Sequence, residues 1–350
     1  MDESEILLEL LRAYSPSGAE SAGVEAFVSA AERLGYTVQI DPAGNGIASI
    51  GTGAPEILFL GHIDTVPGEL PVRLEDGRIH GRGACDAKGP LAAALAAGVG
   101  GPGTGRWTVV AAVGEETDSR GARYLAGRPG PQAVIAGEPN RWDGVAIGYK
   151  GMLHRVGRFT APRRHGSAPD PTATERAIDY LRQFETAVGP RSATGFRNLT
   201  WKLLGIRPEP RSDLDAVRID LDIRLPPGVP VDTVEARLPP LPEGCGWETG
   251  IGIEPWETPR ATAVVRALEL GIRSVGGVPT LWRKGGTSDM NLVAPVWGVP
   301  AAVYGPGDPH LDHTSEESVD REELGRSVAV LRAALPRLAA ELAGPGVHSS

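Results

Sequence analysis

Histidines and carboxylates recur in this chain where apolar runs break off. The run LFLG is followed by His62, Ile63 and Asp64. Alternation along a strand puts His62 and Asp64 on one face. His62 could then bind a metal while Asp64 fixes its tautomer; the alternative is a titratable pair in a surface loop. In GRGACDAKGP, Asp86 lies in a glycine-bounded loop ahead of an Ala-rich segment. Its carboxylate could bridge two cations or cap the helix that follows. Cys85 beside it reads as a small packed side chain. VGEET exposes two consecutive glutamates pointing in different directions. Glu116 could ligate a metal while Glu115 takes a proton from water, against a solvated acidic turn. AGEPN, with Glu138, and GPGDPHLDHTSEE, with His310 and His313, repeat the theme at other strand ends.

The elements that must position these groups follow from periodicity. Residues 3–13 and 19–34 carry apolar positions at helical spacing, broken by residues 15–18. Strands are expected at 37–40, 57–60 and 107–113, with a helix over about 90–97. Alternating strands and helices imply an α/β sheet covered on both faces. Around Lys150 the texture changes. A strand at 152–159, a helix over 174–188, strands at 196–204 and 217–225 and a short helix at 233–237 suggest an inserted α+β module. After Glu254 the first pattern resumes with a helix over 261–275, a strand at 301–304 and a helix over 321–342.

The chain has 350 residues, 41% hydrophobic and 23% charged, enough apolar mass for two cores. A net charge of −9 argues against a general nucleic-acid or anionic-membrane surface. No apolar stretch reaches membrane-spanning length and no basic leader opens the sequence, so a soluble cytoplasmic protein is expected. Cys85 and Cys245 are too few for a disulfide framework. Residues 150–224 hold 14 basic against 9 acidic residues, making the insert the basic part. Gly98, Gly100 and Gly103 satisfy G-x-G-x-x-G but follow a helix and include Pro102, so they read as a linker. No P-loop and no G-x-S-x-G elbow occurs. Trp201, Trp247, Trp256 and Trp282 are expected in cores or interfaces.

Taken in order, these strings resemble the M20 family of dinuclear zinc amidohydrolases over nearly the whole chain. The resemblance implies a zinc-peptidase-like catalytic domain with a central mixed sheet flanked by helices, formed by residues 1–148 and 254–350. It also implies an inserted ferredoxin-like dimerisation or lid domain, residues 149–253, and hence a homodimer. Two Zn²⁺, with Co²⁺ or Mn²⁺ as substitutes, would be held by His62 and Glu138 on one side and Glu116 and His313 on the other. Asp86 would bridge them, Glu115 would be the general base, and Asp64 would orient His62. His310 is the weaker alternative to His313. By the same resemblance His165, Arg224 and the GGTS run Gly285, Gly286, Thr287 and Ser288 would contact substrate. The family's usual asparagine before that arginine is missing, and Asn198 is the nearest replacement.

The strings CDAKGPLA, GEPNRWDGVAIGYKG and TGFRNLTWKLLGI are similar to one branch of that family. Its members release lysine or ornithine from the C-terminal glutamate of a small acidic amino-group carrier protein in lysine and arginine biosynthesis. The basic insert, with Arg155, Arg158, Arg163, Arg164, Arg207 and Arg211, would suit such a partner, Arg163 and Arg164 being the docking candidates. The alternative within the enzyme class is a deacylase of small N-acyl amino acids, of acetylornithine or succinyl-diaminopimelate type. The alternative outside it is a metal-free binding module.

Overall fold

Asp2 closes a capping box with Glu5 and starts α1 (Glu3–Arg12), which buries Ile6, Leu7, Leu10 and Leu11. The computed structural model describes residues 1–209 and 214–344. Its contacts separate two units: Met1–Ile147 with Thr258–Trp282 and the chain from Ser288 on, and Gly148–Glu257 with Arg283–Thr287.

In the first unit α2 (Ser21–Arg33) follows, burying Val24, Phe27, Ala30 and Ala31. β1 (Thr37–Ile40) pairs antiparallel with β2 (Gly46–Thr52). β2 does not stand out in sequence, because glycine, alanine and serine interrupt its isoleucines. Next come β3 (Glu56–His62), β4 (Arg73–Glu75), β5 (Arg78–His80), α3 (Lys88–Gly98), β6 (Gly105–Ala112), α4 (Arg120–Ala126), β7 (Ala133–Ala136) and β8 (Gly144–Tyr149). The glycine-rich stretch before β6 is a turn with positive φ at Gly100, Gly101 and Gly103, as the linker reading requires.

All eleven residues of α3 are buried. Its Ala and Gly side chains let it lie close to the sheet, and a Cβ on Gly98 would come within 2.2 Å of Trp107 and Tyr36. Lys88 opens this helix fully buried, its Nζ donating to the carbonyls of Leu10 (3.0 Å) and Ala13 (2.9 Å). Burial pulls its pKa down to about 7.

The second unit contains β9 (Gly151–Pro162), α5 (Ala173–Val188), β10 (Thr200–Pro208), β11 (Leu214–Leu225), α6 (Val231–Glu235), β12 (Gly246–Ile253) and β13 (Trp256–Glu257). Its antiparallel sheet runs β10-β11-β9-β12. A Thr172–Glu175 capping box starts α5, and Tyr180 and Phe184 pack with Phe159, Trp201 and Ile219. The strand expected at 196–204 runs instead from Thr200 to Pro208; the residues before it are in turns, with backbone bonds from Ala193 to Pro190 and from Asn198 to Gly195. Arg211 lies outside the described residues.

The chain then supplies α7 (Ala263–Ser274), β14 (Thr280–Lys284), α8 (Met290–Trp297), β15 (Ala301–Val303), β16 (Ser318–Asp320) and α9 (Arg321–Ala343). The first unit's large mixed sheet has the order β1-β2-β6-β3-β7-β15-β8 and is flanked by helices. Its centre, β6-β3-β7-β15, is parallel. These strands are near-continuous apolar runs because both faces are covered. Among the described residues no helix is long and apolar enough to cross a membrane.

Candidate metal centre

Four parallel neighbours end at one edge of the sheet, and each delivers a candidate residue there. β3 ends in His62, β6 leads into Glu115 and Glu116, β7 into Glu138, and β15 into the loop carrying His313. Crevices at the carboxyl ends of parallel strands are where such sheets bind ligands. Asp86 arrives from the turn before α3, where Gly89 leaves room for a close approach: a Cβ there would meet the Ala84 carbonyl at 2.4 Å. The helix is capped at Ala87 without a side-chain bond, so Asp86 does not serve as its N-cap.

His62, Asp86 and Glu138 offer ligand atoms within 4.8 Å of one another, and so do Asp86, Glu116 and His313. Asp86 belongs to both groups, with Oδ1 2.9 Å from His62 Nε2 and Oδ2 3.1 Å from His313 Nε2. His313 Nε2 also lies 2.9 Å from Glu116 Oε1. The other nitrogen of His62, Nδ1, sits 2.9 Å from the main-chain oxygen of Asp64 and therefore carries a hydrogen, so that Nε2 is the nitrogen turned toward Asp86. Imidazole lone pairs and carboxylates aimed at one another are the donor set a divalent cation satisfies, and Zn²⁺, Co²⁺ and Mn²⁺ fit it.

The same contacts set the charge of each group. Burial opposes charge on His62, but its bonds to Asp64 and Asp86 outweigh that and hold its pKa well above the usual value. His313 is raised to about 10 by its bonds to Asp86 and Glu116. Burial raises Asp86, yet the two histidines hold its carboxyl below the ordinary range. Each group thus favours its charged form in the presence of an opposite charge.

Asp64 is fully buried, and its carboxylate accepts the backbone N–H groups of Glu115 (3.0 Å) and Glu116 (3.1 Å) and the hydroxyl of Ser17 (2.7 Å). Its carboxylate lies 3.6 Å from His62 Nδ1, so the hydrogen bond that orients the imidazole comes from its backbone. The pKa of Glu115 is pushed well up by burial; the charge of His62 opposes this, and Glu138, Asp289 and Glu116 add to it.

Asp289 was not singled out from sequence, although it directly follows the GGTS run. It is 3% exposed, and burial pushes its pKa up to about 7. An acid directly before the apolar run of α8 was the available signal.

The remaining expected residues belong to neither ligand group. His310 is 86% exposed and pairs with Asp308 at 2.8 Å, outside both ligand groups. His165, Arg224, Gly285, Gly286 and Thr287 belong to the second unit. His165 is exposed, its Nδ1 2.9 Å from Ser167 Oγ. Arg224 donates to Asp222 (2.9 Å) and lies 3.5 Å from Thr287 Oγ1. Ser288, in the first unit, donates its N–H to Asn291. Asn198 donates its amide to the Thr194 carbonyl. Arg155 and Arg158 are ion-paired with Glu235 and Glu209, and Arg164 lies 4.0 Å from Asp170. Cys85 is buried, its Sγ donating to the Ser318 carbonyl.

A family model, Peptidase family M20/M25/M40, matches residues 58–337. The chain belongs to this hydrolase family. It is 37% identical over 349 residues to a LysW-lysine hydrolase of Deinococcus radiodurans, covering 95% of this chain and 96% of the relative. A LysW-lysine/LysW-ornithine hydrolase of Sulfurisphaera tokodaii is 30% identical over 324 residues, covering 91% of each. Among solved structures, a tripeptidase of Staphylococcus aureus superposes with a TM-score of 0.79 at 20% identity, covering 96% of this chain and 98% of that one, a likeness of fold.

Proposed function

We propose that this chain is a two-metal amide hydrolase that releases lysine or ornithine from the C-terminal glutamate of LysW. The observation that carries the chemistry is the pair of ligand groups meeting at Asp86. Identity to the LysW hydrolases over nearly the full chain supports the substrate. His62, Asp86 and Glu138 would hold one divalent cation, Zn²⁺ in this reading, and Asp86, Glu116 and His313 the other. Such ions, when bound, polarise the amide carbonyl and acidify water.

The remaining work falls to the chain. Glu115, outside both ligand groups, accepts a proton from the attacking water and returns it to the departing amine. Asp64 holds the Glu115–Glu116 turn and orients His62. Arg224, Gly285, Gly286, Thr287 and Ser288 grip and line the substrate, and His165 reaches the site of a second subunit in a homodimer. In this reading the second unit is the dimerisation and lid domain, and the protein works in the cytoplasm.

One observation favours the second reading, a deacylase of small N-acyl amino acids. Arg155 and Arg158 of the basic insert are already neutralised by ion pairs, which weakens the electrostatic case for a carrier. The deciding experiment supplies LysW-linked lysine, LysW-linked ornithine and acetylornithine to the purified protein. Release of free amino acid from the carrier supports the proposal, whereas turnover of acetylornithine alone discards the carrier and keeps the mechanism.

A further inference from the structure

Arg82 and Glu317 form a buried ion pair beside the candidate metal centre, Nη1 to Oε2 at 2.8 Å, with side chains 8% and 1% exposed. Neither belongs to the ligand groups, yet each reaches a loop that carries a ligand. The other oxygen of Glu317, Oε1, accepts the backbone N–H groups of Gly83 (3.0 Å), Cys85 (3.2 Å) and Asp86 (3.2 Å). Arg82 donates to the carbonyl of Thr314, the residue after His313, at 3.0 Å, and to the Gly68 carbonyl at 3.0 Å. One pair therefore ties together two loops more than two hundred residues apart in the chain.

The two halves of the centre do not depend on this tie equally. His62 is the last residue of β3, and Glu138 follows β7 by two residues, so the sheet fixes both. His313 comes from the loop between β15 and β16, stands at φ +63°, and is 48% exposed. A non-glycine residue is held in the left-handed region only by its surroundings, and the bond from Arg82 to the next carbonyl is part of those surroundings.

We infer that Arg82 and Glu317 are positioning residues for the Asp86, Glu116 and His313 half of the centre, so that loss of their pairing weakens cation binding at that position and leaves the His62, Asp86 and Glu138 position nearly unchanged. The inference rests on the two-metal reading above. Partners that orient ligands are worth about 10–100-fold in metal affinity.

The test is a stepwise Zn²⁺ titration of metal-stripped wild type, Arg82→Met and Arg82→Lys, followed by calorimetry and by metal content after dialysis, with thermal unfolding as a check on folding. Wild type should bind two ions per chain. Arg82→Met should weaken the second step about 10–100-fold and leave the first within about threefold, and Arg82→Lys should recover part of the loss. Because the cavity of a lost guanidinium could unfold the chain, Glu317→Gln serves as a second variant. Its amide keeps an oxygen for the loop N–H groups and weakens only the pairing with Arg82. Two unchanged steps in folded Arg82→Met and Glu317→Gln, or equal weakening of both steps, would overturn the inference and leave the two-metal reading standing. Fewer than two ions in wild type would overturn both.

Discussion

The carboxylate of Asp64 holds the backbone of Glu115 at 3.0 Å with one oxygen and that of Glu116 at 3.1 Å with the other. A buried anion at the end of β3 thus sets the turn that ends β6, and with it both a candidate ligand and the candidate base. Through its own main chain it also fixes the tautomer of His62. Asp64→Asn replaces one acceptor by a donor facing an N–H group. It should lower kcat about 10–100-fold and weaken metal binding, with KM little changed. Steady-state kinetics beside metal content checks this, and an unaltered kcat would remove the role.

Glu115→Gln should leave metal content unchanged, because Glu115 is outside both ligand groups. Turnover should fall about 10²–10⁴-fold, the range supplied by a positioned acid or base. Normal turnover in that variant would assign the proton to another group.

In the second unit Glu257 accepts from Arg197 at 2.6 and 2.7 Å and from Arg283 at 2.7 Å. Burial raises its pKa, but these guanidinium bonds outweigh it and hold the carboxyl below the ordinary range. A depressed carboxylate contributes stability above its unfolded pKa and loses it as the pH falls through the folded value. Glu257→Gln should therefore cost about 1 kcal/mol at pH 7, and the difference from wild type should shrink as the pH drops below about 4. Urea unfolding at both pH values measures it; a pH-independent difference would contradict the assignment.

Much of this centre was legible because its residues sit where apolar runs end. His62, Asp86, Glu116, Glu138 and His313 stand beside strand-like or helix-like strings, and the sheet needed only parallel order to bring the strand-end residues to one edge. The larger helices were legible for the same reason, through their periodicity. β2, β4, β5, β8, β12, β13, β14 and β16 were not: several are short, β2 and β16 hold through pairing with strands far off in the chain, and β4 and β5 are a hairpin of three-residue strands. The brace from Glu317 to the Asp86 loop was equally hidden. In sequence it is one of two adjacent glutamates in HTSEE, and only burial distinguishes it. The part of Asp64 was half visible: its proximity to His62 follows from alternation, whereas its grip on the Glu115 turn depends on which strand lies alongside.

Arg163 and Arg164 are exposed beside His165, and Arg164 reaches Asp170 only at 4.0 Å. Replacing both by glutamate should raise KM for LysW-linked substrate about tenfold at low salt, through loss of attraction to an acidic partner, and less at high salt. KM for acetylornithine should not move. An unchanged KM for the carrier at low salt would place docking elsewhere.

The most direct measurement is release of lysine or ornithine from LysW by the purified protein, before chelation, after it and after Zn²⁺ is restored, with metal content determined at each stage. About two ions per chain, loss of release on chelation, and recovery once both ions are restored are expected. Release that persists in metal-free protein, or a chain that neither binds metal nor gains activity with added Zn²⁺, would contradict the two-metal reading.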